Sequence, residues 1–145
     1  MRALVVLAVA FAACAAPPAS PPPPEPHPRT DVTARLHELV RTVAETPTAE
    51  AVAPLVMTAE ARSGRGPVAP LDVSAARDRV HAESALRQIA AMPFADGYTV
   101  VEYLVQTESE GTWHAVRVAF VGGAAEDRWF GFLPYGDTYL LGDID

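Results

Sequence analysis

The sequence predicts an α+β domain in which N-terminal helices pack on a curved, four-stranded antiparallel meander. Three observations carry this. Between Asp31 and Pro93, apolar residues recur at three- and four-residue spacings, the period of a helix with one buried face. After Gly97 the apolar period drops to two, as in strands. The connections between the alternating segments are short and turn-like, which joins consecutive strands antiparallel. Helices gathered first and strands afterwards make an α+β arrangement.

The elements follow in order. From Asp31 to Glu45, Val32, Leu36, Leu39, Val40 and Val43 build one helix face, with Thr30 or Asp31 as its N-cap. Thr46-Pro47 stops this helix and starts a short second one, which Pro54 breaks. Leu55 to Arg62 fits either another helical turn or a short strand. Ser63 to Pro70 is a loop by composition; its glycines lack the GK[ST] and preceding strand that a phosphate loop needs. Asp72 or Ser74 then caps a helix carrying Ala76, Val80, Leu86 and Ile89, which ends before Pro93. Four strands remain: Tyr98–Thr107, Thr112–Val121, Arg128–Leu133 and Thr138–Ile144.

The N-terminus sets an address. Arg2 precedes an uncharged run, Ala3 to Ala13, far short of the roughly 20 apolar residues that span a bilayer. A basic start, a short apolar region and small residues at its end mark a secretory signal peptide. Phe11-Ala12-Ala13-Cys14 resembles the lipobox of bacterial lipoproteins, departing from it at Phe11, where leucine is commoner. The resemblance implies cleavage before Cys14 and acylation of its thiol. Several acyl chains anchor firmly where one anchors only marginally. Eight of the twelve residues 17–28 are proline, an extended polyproline-II spacer of about 3.1 Å per residue. The expected organisation is a signal peptide at 1–13, the lipidated cysteine and tether at 14–29, and one domain at 30–145. The expected location is the cell envelope, lipid-anchored. Ala15, in place of a retention-type aspartate, leans toward the outer membrane, facing periplasm or surface.

Composition removes several functions. The formal net charge is −7, and loss of Arg2 with the leader deepens it, so nucleic acid is a poor partner. All eleven basic residues are arginine, which excludes a lysine nucleophile. With the only cysteine spent on lipid and no GxSxG, no Ser/His/Asp or Cys/His arrangement can be drawn. Asp143 and Asp145 lack the further oxygen donors that a cation needs, so no metal or cofactor is expected. His37 and His81 read as solvated helix positions.

Pairing Thr107 with Thr112 sets the strand faces. Val105 then opposes His114 and Tyr103 opposes Val116, on the face the helices cover. Continuing through the next turns adds Trp129, Leu133 and Leu140, so Tyr103, His114 and Trp129 form the candidate pocket. The opposite face would carry Trp113, Phe130, Phe132, Tyr139 and Leu141. An antiparallel sheet with one solvated face should alternate apolar and polar, so this second apolar face calls for a cover.

The order of elements over Asp31–Asp145 resembles the NTF2-like (cystatin-like) superfamily, a cone of helices packed into a bent sheet. The resemblance implies a small enzyme, a ligand binder or an exported lipoprotein, and a homodimer formed through the sheet surface. Enzymes of that family pair a histidine with a carboxylate in the cavity, but no inward carboxylate partner for His114 is evident among the strands. The reading is therefore a non-enzymatic, anchored envelope lipoprotein that binds a partner protein or a small apolar ligand. A cavity enzyme with His114 as general base and Tyr103 as donor is the alternative, and a structural envelope component the second.

Overall fold

The computed structural model describes residues 27–145, an α+β domain of helices followed by a four-stranded antiparallel sheet that does not close. The expected signal peptide, Cys14 and the expected tether up to residue 26 lie outside the described residues.

Helix α1 (Pro28–Glu45) begins inside the stretch expected to be tether. A proline at the start of a helix loses nothing, because its missing N–H is one of the unpaired donors of the first turn. The backbone closes that turn itself: the His27 carbonyl accepts from the amides of Thr30 and Asp31 at 2.9 and 3.1 Å. Thr30 and Asp31 therefore sit within the helix and do not cap it. Its buried stripe is Val32, Leu36, Leu39 and Val43, as the spacing predicts.

Helix α2 (Ala49–Val52) is capped by the Thr48 hydroxyl, which accepts from the Ala51 amide at 3.2 Å. A 3-10 turn at Ala53–Leu55 then absorbs Pro54. The stretch that fits helix or strand is both in turn. Val56 and Met57 run along the sheet edge, with the Met57 amide donating to the Leu141 carbonyl at 2.8 Å, and helix α3 (Ala59–Arg62) follows. Helix α4 (Ala76–Ala90) starts after Ala75 without a side-chain cap. Asp72 instead accepts from the Ser74 amide at 2.9 Å, and Asp78 reaches back to the Asp72 amide at 2.9 Å. Val80, expected on the apolar face, is 60% exposed; Ala82 and Ile89 make the buried contact.

The sheet is a meander in the order β1 (Tyr98–Glu108), β2 (Gly111–Phe120), β3 (Arg128–Tyr135) and β4 (Thr138–Ile144). Thr107 pairs with Thr112, Val105 with His114 and Tyr103 with Val116, as expected, and a bulge follows Val100.

Beyond β2 the expected faces are reversed. His114 pairs with Phe132 and Val116 with Phe130, so Phe130 and Phe132 turn toward the helices and Trp129 turns away. A one-residue slip moves every side chain of a strand to the other face. The slip arises between the strands, where a 3-10 turn at Val121–Gly123 has both Gly122 and Gly123 in the left-handed region (φ 69° and 66°). A simple two-residue turn would have kept the other parity. Strand β4 follows β3, so Tyr139 and Leu141 also face the helices, and Leu133 and Leu140 face the opposite side.

The principal core therefore lies between the helices and the sheet, with Leu36, Leu39, Phe130 and Phe132 buried almost completely. Each such side chain contributes about 1.5–3 kcal/mol on leaving water. A smaller cluster occupies the other face, where Met57 and Ala61 pack on Leu133, Leu140 and Trp113. The chain crosses the sheet edge between Val56, in the first cluster, and Met57, in the second.

Candidate functional site

The sequence expectation joined Tyr103, His114 and Trp129 in one pocket. The structure brings only two of them together. The Tyr103 hydroxyl and His114 Nδ1 are hydrogen-bonded at 2.7 Å, and the Tyr139 ring meets the imidazole edge-on at 5.2 Å between centroids. Trp129 lies across the sheet from them. Burial lowers the His114 pKa, since the charged imidazolium loses its hydration. Burial, with the neighbouring Tyr139, raises that of Tyr103. His114 is 9% exposed, and among the described residues its hydrogen-bond partner is a phenol, with no carboxylate. Neither of the clefts described next is lined by His114 or Tyr103.

The residues expected to form an uncovered dimer face are mostly internal. Phe130, Phe132 and Leu141 belong to the principal core, and Tyr139 packs against it. Trp113 is partly buried against the chain's own Met57 and Ala61. The cover that the second apolar face required is thus supplied partly by a register slip and partly by the strap through α3.

Two clefts remain. The first is apolar, about 380 Å³, and runs between the C-terminal half of α1 and the end of α4. Val40, Val43 and Ala44 form one wall, Ile89, Met92 and Phe94 the other. Phe94 is set by the 3-10 turn Phe94–Asp96, and its ring stands edge-on to Tyr98 at 4.9 Å and to Phe120 at 5.2 Å. The polar rim is His37 hydrogen-bonded to the Tyr98 hydroxyl, with Arg41 beside it. Burial raises the Tyr98 pKa, so the hydroxyl stays protonated. Sequence reading missed this cleft. Val40, Val43 and Ile89 were legible as apolar helix positions, but the Met92–Phe94 turn that closes the wall carried no periodic signal.

The second cleft, about 350 Å³, lies on the sheet face away from α1. Its floor crosses the strands through Leu104, Ala115 and Gly131. Trp113 and Trp129 stand on either side of the small Ala115–Gly131 pair, with Glu108 and Glu110 along one rim and Asp143 and Asp145 along the other. Trp113 lies flat because two glycines make room: a Cβ on Gly131 would sit 3.2 Å from its ring, and one on Gly142 only 2.6 Å. Its indole N–H donates to Glu110 at 3.3 Å. The Ser109 hydroxyl, followed by Glu110's own backbone, holds the Glu110 carboxyl below its ordinary range. Arg62 is paired to Asp143 at 2.5 Å. Among the described residues, no group of three or more His, Cys, Asp or Glu is placed to hold a metal ion, and no helix is long and apolar enough to cross a membrane.

Set against family models, curated proteins and solved structures, the chain matches none.

Proposed function

We propose that the protein is a lipid-anchored envelope lipoprotein, attached through Cys14, whose domain is a non-enzymatic binding module for a small apolar ligand. The observation that carries the reading is the apolar cleft between α1 and α4. Its volume of about 380 Å³ lies within the common range of small-molecule sites, and its few polar groups converge at one rim. The signal-peptide and lipobox pattern supports the address, with the prolines as the arm that holds the domain off the membrane. The alternative enzyme would need substrate to reach His114, which lines neither cleft.

The neutral fluorophore N-phenyl-1-naphthylamine tests the binding module. It gains emission in the wild-type protein, and Ala44→Trp, which fills the cleft from an exposed helix position, weakens its binding by at least about tenfold with the circular dichroism unchanged. Equal binding by the two proteins would contradict the reading.

A second reading, a homodimer or an envelope partner, rests on β1. The β4 edge is capped by Val56 and Met57, whereas among the described residues β1 pairs only with β2. Val101, Leu104 and Val105 are 42–48% exposed along it, and an open edge strand is a template for pairing with another chain.

A further inference from the structure

The cleft on the open sheet face differs in chemistry from the apolar one. Four carboxylates, Glu108, Glu110, Asp143 and Asp145, line it against a single guanidinium, Arg62, which Asp143 already engages. Neutral donors bond two of the other three: the Gln106 amide donates to Glu108 at 2.7 Å, and the Ser109 hydroxyl to Glu110 at 2.6 Å. Such bonds fix a carboxylate without cancelling its charge. Arg117, opposite Trp129 on this face, is occupied by Glu102 and Asp127 at 2.9 and 2.6 Å. The groove therefore keeps an excess of negative charge beside two indole rings. The Trp113 ring is seated against the backbone, where a Cβ on Gly142 would meet it at 2.6 Å and one on Gly131 at 3.2 Å.

An indole face attracts a cation through its quadrupole, and carboxylates at the rim complete the neutralisation. A neutral ligand would leave the carboxylates uncompensated, and an anion would be repelled. We propose that this groove is a second binding site, for a small organic cation of the quaternary ammonium type, recognised on Trp113 and Trp129. It is independent of the apolar cleft: the two share no residue.

The protein's two tryptophans both line this groove, so selectively excited indole emission of the wild-type chain reports on it. The test titrates the full chain with choline and with 3,3-dimethylbutan-1-ol, its uncharged isostere. Choline changes the indole emission saturably, binds on the order of tenfold more tightly than the isostere, and weakens in 0.5 M salt. Glu108→Gln with Asp145→Asn, both on exposed residues, lowers choline affinity at least about threefold without altering the fold. Ala44→Phe, which fills the apolar cleft without adding an indole, leaves the ratio of choline to isostere affinity unchanged, which separates failure here from failure of the apolar site. Equal affinity for the two compounds, a comparable response to neutral N-acetylglucosamine, or no response to choline overturns the proposal.

Discussion

His114 is the buried polar side chain of the described core, and its environment sets a pH dependence. Burial lowers its folded pKa below the value of about 6.5 that an exposed imidazole takes in the unfolded chain. Between those two values the unfolded state binds more protons, so stability rises with pH. This contribution is complete above about pH 6.5 and is lost as pH falls through the folded pKa. The thermal midpoint should therefore drop between pH 7.5 and pH 5, and His114→Phe should flatten that drop; equal slopes in both proteins would contradict it. The Tyr103–His114 pair was legible in the sequence because a short turn fixes their register: Thr107 opposite Thr112 places Val105 opposite His114. Trp129 was not, because its face depends on two left-handed glycines whose geometry leaves no periodic trace.

At the scale of elements, the sheet is a partition between two unequal apolar clusters, and β4 serves both. Leu141 faces the helices, Leu140 the strap through Met57 and Ala61, and Gly142 lets the strap and Trp113 meet over it. Gly142→Ala places a methyl 2.6 Å from Met57 Cε and from the Trp113 ring. Overpacking of that kind costs about 1–3 kcal/mol, to be read from urea unfolding. A neutral change would mean that the strap is loose. Val80→Ala, on an exposed flank of α4, should stay within about 0.5 kcal/mol. Helices and strands were each legible from their periods, since apolar spacing directly reflects which side of an element meets the core. The strap was not, because residues 55–62 form in succession a 3-10 turn, an edge bridge and a single helical turn, each too short for a period.

At the scale of the molecule, an acidic chain carries, among the described residues, an apolar cleft beside the helices and an acidic, aromatic groove behind the sheet. Its fold class followed from the order of periods along the chain. Its sites did not, because each cleft is assembled from segments distant in sequence: α1 with the Met92–Phe94 turn, and all four strands with Arg62. A binding module whose ligand fills the first cleft should leave the cell occupied. The deciding measurement is native mass spectrometry of the full chain, extracted gently from an exporting bacterial host, beside Ala44→Trp prepared identically. The wild-type protein should carry one additional small apolar molecule that the variant lacks. Identical masses, after allowing for the substitution, would contradict a ligand in the α1–α4 cleft.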